Sequence, residues 1–494
     1  MQNSNAVVIG SGVGGMAAAI RLAAAGMKVH VFEKNDFPGG KISSFRLQGF
    51  HFDAGPSLFT EPWLLNDLFS LCGERLEDHL SMRRVKKTCS YFFPGGKKVE
   101  AWADPNEFAK EMFEKLGEPA ENVLRYLSRS KRLYNGAGSI FLNKPLQKAG
   151  TWLRFSTAKA LFSTPISLLS KPLHDHNARA LVTAEAQQLF DRFATYNGSD
   201  PYRTPAIMSV IPHLEHNTGT WYPLGGMIVI TDALYRLALR MGVRFSFNSP
   251  VSRIIHTGGR AKGVVVAGRN YSADIVISNM DVYHTYNKLL NSRKLAEKNA
   301  SIERSTSALV LYWGINRQFE GLGLHNIFFS ADYRGEFRAL KENRVADDVT
   351  VYVNITAKED PSHAPEGMEN WFVMVNVPPD KGQNWKLITE QVRKAVLRKL
   401  EASLGTDVEQ HIIAEKVLDP VLIGENTLSY QGALYGTSSN SAMSAFMRQP
   451  NYSPIAGLYL CGGSVHPGGG IPLCLRSAAI ATDMVKRKHK LETR

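Results

Sequence analysis

Cysteine is scarce in this 494-residue chain. The four present, Cys72, Cys89, Cys461 and Cys474, make no pair at metal-ligand spacing. That excludes zinc and a disulfide framework, and points to a reducing interior. Long apolar runs are missing as well. No uncharged apolar stretch reaches the roughly 18 residues that a membrane span requires, so none is expected. The first apolar strand begins almost at Met1, with no signal-peptide pattern ahead of it. Neither an internal repeat nor a low-complexity linker occurs. Acid is absent locally: residues 122–174 hold no Asp or Glu in 53 positions, against nine basic residues.

What is there is otherwise ordinary for a globular protein, with 44% hydrophobic and 21% charged residues. The length allows two or three domains with ample core. A net charge of +13 implies an anionic partner. The acid-free stretch carries Arg125, Arg129, Lys131, Arg132, Lys144, Lys148, Arg154, Lys159 and Lys171. Between them stand Phe141, Trp152, Phe155, Phe162 and several leucines and isoleucines. Basic residues interleaved with Trp, Phe and Leu suit a helix lying in a membrane interface. Each base near an anionic leaflet contributes about 1 kcal/mol. A solvated basic face on a helical domain is the competing reading. No nucleic-acid recognition motif accompanies the charge, so nucleic acid is not expected as a partner.

The first forty residues organise the rest. Ala6 to Ile9 read as an apolar strand, and Gly10, Gly12 and Gly15 follow at G-x-G-x-x-G spacing, with Gly14 inside the motif. An alanine-rich helix then runs to Gly26, and Val29 to Phe32 make a second strand ending at Glu33. Gly10 permits the tight turn, Gly12 lets the backbone approach a pyrophosphate, and Gly15 lets the helix pack close to the strand. Phosphates sit on the free N–H groups of the helix N-terminus. Glu33, with Lys34 next to it, is placed to bind an adenosine ribose, and an acid there argues against a 2′-phosphate. The reading is dinucleotide binding by NAD or FAD. Gly39, Gly40 and Lys41 then form a second glycine loop with a base.

Further along, Asp53 reads as a turn residue before Ala54-Gly55-Pro56-Ser57. A hairpin is predicted over Tyr91 to Val99, and a helical region starts near Pro105. Strands over Val243 to Phe247 and Val251 to Ile255, with others through Ser278, return the chain to a nucleotide-domain pattern, which implies a discontinuous domain. Helices are predicted over Ile228 to Arg240 and Trp385 to Leu404. Alternating apolar stretches between Ala308 and Val377 predict a second, largely antiparallel sheet. Leu458 to Cys461 read as a buried strand, residues 462–472 as a glycine loop, and Leu473 to Val485 as a helix. This second loop-to-helix turn aims N–H groups at an electron-rich ligand, such as the edge of a flavin that becomes negative on reduction.

VVIGSGVGG with Glu33 and PGGK, FDAGPS (52–57), WYPLGGM (221–227), ADIVISNMD (273–281) and LYLCGGSVHPGGGIP (458–472) stand in this order. Together they resemble the bacterial phytoene desaturase-type carotenoid desaturases over essentially the full length. The resemblance implies an α/β (α+β) amine oxidase-like flavoprotein fold. In it, a discontinuous Rossmann-like FAD-binding domain takes residues 1–75, 223–295 and 450–494. A mixed-sheet substrate domain takes 76–115 and 296–449, and a helical, membrane-associated domain takes 116–222. FAD is the implied cofactor, with Gly55, Pro56 and Ser57 beside the flavin and Val251 by the adenine. Gly463, Gly470, Ile471 and Pro472 would lie on the ribityl–flavin side. Trp221, Tyr222 and Leu224 are expected to line a substrate tunnel. Lys144, Lys148, Trp152, Arg154, Phe155, Lys159 and Phe162 are expected to meet the cytoplasmic side of an anionic membrane. Two departures stand out. Leu473-Cys474-Leu475 after the glycine loop is similar to the hydroxycarotenoid 3,4-desaturase branch. Gly463-Ser464 replaces the acid that many related flavoenzymes place on the ribityl chain.

The implied reaction removes a hydride and a proton from adjacent carbons of a carotenoid, with flavin as hydride acceptor. His213, Glu215 and His216 are the nearest candidates for a base. The final electron acceptor, oxygen or a quinone, stays open. The alternatives are phytoene desaturation itself, a related isomerase or saturase, or a non-enzymatic prenyl-binding escort of the same architecture.

Overall fold

The computed structural model describes residues 4–152 and 165–489. β1 (Asn5–Ile9) and β2 (Lys28–Phe32) flank α1 (Val13–Ala24), which lies over the sheet they belong to. That sheet has five parallel strands in the order Leu458–Leu460, Ile275–Ser278, β1, β2, Arg244–Ser246. Its strands come from both ends and the middle of the chain, as the return to a nucleotide-domain pattern implied. α1 packs against helix Ile228–Arg240 and the C-terminal helix Ile471–His489. Its small residues make this possible: Ala17, Ala18 and Ala19 have no exposed surface. A Cβ on Gly15 would stand 2.0 Å from the Gly10 carbonyl oxygen, so only glycine allows so close an approach of helix to strand.

The second sheet has seven strands. Their order is Ile412–Leu418, Ser307–Ile315, Glu369–Val377, Val351–Ile355, His325–Phe328, Lys87–Phe92, Lys98–Trp102. All pairings are antiparallel except His325–Phe328 with Lys87–Phe92. Ser307–Ile315 is buried throughout, and its period of two divides it between two cores. Leu309, Leu311, Trp313 and Ile315 pack under helix Trp385–Leu404, whereas Ala308, Val310 and Tyr312 face Phe50 and Phe52. Helices Pro105–Leu116, Ala120–Leu133, Leu173–Ala180 and Ala184–Asp191 form the helical region. Arg125, Arg129, Lys131 and Arg132 are exposed on the second of these. Trp152 ends a short helix from Ala149. Arg154, Phe155, Lys159 and Phe162 lie outside the described residues. Among the described residues, no helix is long and apolar enough to cross a membrane.

Burial holds four histidines neutral. His213, His325, His363 and His466 are each pushed down to about 4 from 6.5 by loss of solvent. Between these values the unfolded chain binds more protons than the folded one, so their stability is lost as pH falls from 6.5 to 4. Asp53 opposes them: burial raises its carboxyl from 3.8 to about 6, which lets stability fall as pH rises through that range. Burial raises Asp191, Asp200 and Glu336 in the same sense as Asp53, but it also lowers His30, His51, His176, His216, His284 and His489, so the histidines outnumber the carboxyls. The thermal midpoint should therefore drop on acidification from pH 6.5 to 4, and a flat profile would contradict the neutral burial.

Candidate cofactor and substrate site

β1, β2 and Ile275–Ser278 deliver Gly10, Glu33 and Asn279 to one crevice at their carboxyl ends, where open parallel sheets take ligands. Gly10, at φ 89°, turns the chain out of β1. α1 then begins at Val13 with Gly12 as N-cap and no side-chain cap, which leaves first-turn N–H groups for a ligand. The Asn279 side chain fills the space between the glycines. A Cβ on Gly12 would lie 2.7 Å from its Nδ2, and one on Gly14 2.7 Å from its Oδ1. Glu33 is 5% exposed. Its Oε2 accepts from Ser11 N–H (2.7 Å) and Ser11 Oγ (2.9 Å), and its Oε1 from Asn35 N–H (3.0 Å).

The second glycine loop meets the first. Gly39 bridges to Gly12, and a Cβ on Gly40 would stand 3.3 Å from Gly12 Cα. Lys41 is enclosed: its Nζ donates to Leu434 O at 2.7 Å, and burial lowers its pKa against the pull of Asp281. Gly55 presses on the same segment, since a Cβ there would be 1.8 Å from Lys41 O. Ser57 Oγ pairs with Tyr352 Oη at 2.7 Å, and Tyr352 Oη with His325 Nδ1 at 2.8 Å. From the C-terminal side, Gly463, Gly470, Ile471 and Pro472 close the wall. Arg448 pins that loop. Its guanidinium, 3% exposed as a residue, donates to Tyr435 O (2.8 Å), Gly463 O (3.2 Å) and Thr437 O. Burial brings its pKa down to about 10, with Arg304 acting the same way. Cys474, also on the wall, is pushed up to about 11 by burial, so its thiol is protonated.

One cavity of about 1040 Å³ takes in Gly10, Gly12, Gly14, Glu33, Lys34, Gly40, Lys41, Gly55, Pro56, Ser57, Val251, Gly463, Gly470, Ile471 and Pro472. Gly15 stays behind it, in the helix–strand contact. Beyond the glycine loops the walls turn apolar, with Phe141, Leu142, Ile207 and Ile211 from the helical region facing Val310 and Phe372 of the sheet. The stand-ins for a base separate here. Glu215 reaches the cavity, whereas His213 and His216 do not line it. His216 has no exposed surface and lies flat on Phe108 at 4.3 Å, and His213 packs on Tyr134 at 4.8 Å. Neither histidine is placed to meet a substrate.

The tunnel expectation is also corrected. None of Trp221, Tyr222 and Leu224 lines the cavity, and Trp221–Pro223 pairs with Met82–Arg84. Trp221 packs on the core under α1, Tyr222 meets Val85 and Leu324, and Leu224 is 47% exposed. Asp53 is more than a turn residue. Both of its carboxylate oxygens accept the Met227 N–H at 3.0 Å, so it holds the start of helix Ile228–Arg240. Asn279, Arg448 and Arg192, the buried partner of Glu215, are site residues that the sequence did not single out. For Asn279 a signal existed, since it directly follows a strand ending at the crevice. Among the described residues no group of His, Cys, Asp and Glu is arranged to hold a metal.

A dinucleotide fits this arrangement: two uncapped or glycine-led helix starts, an acid at the end of β2, and a cradle that side chains at Gly12 or Gly14 would fill. A family model for flavin containing amine oxidoreductase matches residues 13–485. The chain belongs to this family. The flavoenzyme is therefore an oxidoreductase, and its dinucleotide is FAD. It is 46% identical to 1-hydroxycarotenoid 3,4-desaturase of Flavobacterium sp. (strain P99-3), over 97% of this chain and 98% of that one. It is 34% identical to 4,4'-diapolycopene oxygenase of Methylomonas sp, over 98% of each chain. Among solved structures, cyclohexylamine oxidase from Brevibacterium oxydans IH-35A superposes with a TM-score of 0.62 at 18% identity, covering 99% of this chain and 100% of that one. Putrescine oxidase bound to putrescine gives 0.65 at 17% identity, covering 98% and 99%. At such identities these two structures establish the shared fold of the flavoenzyme.

Proposed function

We propose that this flavoenzyme is a carotenoid desaturase that forms the C-3,4 double bond in an acyclic, 1-hydroxylated end. The observation that carries this is the near full-length similarity to a hydroxycarotenoid 3,4-desaturase. The apolar side chains that line the cavity beyond the glycine loops support it, because a polyene needs dry, mainly apolar surroundings. FAD, when bound, supplies the hydride acceptor. The free N–H groups of α1 and Glu33 hold the dinucleotide, and the Gly463–Ile471 loop, pinned by Arg448, supports the flavin edge. The apolar walls orient the chain and exclude water. Losing hydride beside a polyene leaves a delocalised cation, whose neighbouring C–H needs only a weak proton acceptor. The buried carboxylate Glu61 stands on the wall for that purpose. The domain limits drawn from sequence, a nucleotide-binding part, a sheet part and a helical part, belong to the same proposal.

Expression in cells that accumulate phytoene, lycopene or a 1-hydroxycarotenoid tests it by pigment chromatography. Only the hydroxycarotenoid should gain a conjugated double bond. Coloured products from phytoene, with the hydroxycarotenoid untouched, would show phytoene desaturation instead.

The same reading makes the protein peripheral to the cytoplasmic face of a membrane, where its substrate dissolves, with oxygen or a quinone as final acceptor. The acid-free basic stretch supports this. The wild type should sediment with anionic liposomes and be released by salt. Changing Lys144, Lys148, Arg154 and Lys159 together to Glu reverses four charges, each worth about 1 kcal/mol at such a surface. Sedimentation should fall more than tenfold with FAD content unchanged, and equal sedimentation would sink the membrane reading.

A further inference from the structure

A buried charged pair sits in the cavity wall beyond the glycine loops, where Ile207, Ile211 and Phe372 also line it. Arg192 and Glu215 both line it, and their side chains are 10% and 2% exposed. Arg192 reaches Glu215 Oε2 at 3.1 Å. Tyr196 donates to the same oxygen, and Arg192 also donates to Tyr91 Oη at 2.5 Å. The guanidinium is caged by the rings of Phe193 (4.6 Å), Tyr91 (5.2 Å) and Tyr196 (5.2 Å). Burying such a pair generally gains nothing in stability over apolar residues of the same volume. Standing on the cavity wall, this pair is placed to meet a ligand.

The two carboxylate oxygens are unequally used. Oε2 takes both close donors. Oε1 has only long contacts, 3.4 Å to Arg192, 3.5 Å to Tyr91 Oη and 3.8 Å to His216 Nε2. It can therefore accept one more short hydrogen bond. Burial pushes the carboxyl up, but Arg192, His216 and Tyr196 together hold it below the ordinary glutamate value. It is thus an anion, a strong acceptor and a poor base.

We propose that Glu215 Oε1 accepts the tertiary hydroxyl on the acyclic end of the polyene, and thereby selects the substrate and sets its depth in the cavity. This rests on the desaturase reading above. The carbon that carries the hydroxyl is separated from the reacting bond by a single carbon, so its receptor has to lie beside the flavin. Ser57, expected next to the flavin, links through Tyr352 to His325, and the His325 ring feels the charge of Glu215, which brings the carboxylate to that end of the cavity. Arg192 and Tyr196 act through the carboxylate, as positioning residues. A substrate without the hydroxyl leaves Oε1 buried and under-used, which a site built for a hydroxyl penalises strongly. Proton removal then falls to a group other than Glu215.

The test compares two acyclic carotenoids of equal conjugation, with and without the tertiary hydroxyl, on wild type, Glu215→Gln and Tyr196→Phe. For wild type, kcat/KM should favour the hydroxylated substrate. Glu215→Gln should lower that preference by about 100-fold or more. Tyr196→Phe, which removes one oxygen and is the safer variant for folding, should lower it about tenfold. FAD absorbance reports folding in each. An unchanged ratio in Tyr196→Phe, or equal losses on both substrates, would overturn the assignment while leaving the desaturase reading intact. A wild type that prefers the carotenoid without the hydroxyl would overturn both.

Discussion

Gly12→Val yields a colourless, inactive protein. Gly12 has φ −64° and ψ 169°, so its backbone alone would accept a side chain. The space does not. The first side-chain carbon would already lie 2.7 Å from Asn279 Nδ2, and the branches must displace that amide or fill the crevice at the start of α1. Both outcomes remove the surface on which a pyrophosphate would rest against free N–H groups. FAD per chain should fall below about one tenth of the wild-type value, because the dinucleotide site depends on that close approach. Far-UV circular dichroism should be retained. Gly15→Ala is different in kind: its Cβ meets the Gly10 carbonyl at 2.0 Å, so the βα unit itself should fail. A Gly12→Val protein that keeps stoichiometric FAD would show that the pyrophosphate is not bound there.

The elements legible in the sequence were those specified by local chemistry. Ile228–Arg240 and Trp385–Leu404 have the bounds read from their apolar periods. The second is marked by Asn384 accepting Leu387 N–H at 3.2 Å and by Gly405 in the left-handed region at φ 65°. The C-terminal helix starts at Ile471 rather than Leu473, since Pro472 is tolerated in a first turn. The glycine loops were readable because each glycine answers a nearby backbone.

What failed depended on distant partners. Asp53 accepts an N–H from Met227, 174 residues away, and nothing beside it in sequence signals that role. Arg448 finds carbonyls in two other loops. Trp221 and Tyr222 belong to a motif of the family, yet their strand pairs with Met82–Arg84 and their side chains pack on cores outside the cavity. Of three neighbouring candidate bases, only Glu215 faces the cavity. Residues 213–217 form a single irregular turn, whose facing could not be read from a helical or strand period.

The central claim, that the FAD of this protein takes hydride from the acyclic end of a hydroxylated carotenoid, can be tested without an external electron acceptor. The purified flavoenzyme is mixed, free of oxygen, with anionic liposomes carrying either a 1-hydroxylated acyclic carotenoid or phytoene, and flavin absorbance is followed. Each desaturation delivers two electrons. One FAD should therefore bleach for each new conjugated double bond in the hydroxylated carotenoid, seen as a red shift in its spectrum, and phytoene should produce neither change. Bleaching by phytoene with none by the hydroxycarotenoid, or a red-shifted product formed while the flavin stays oxidised, would contradict the account.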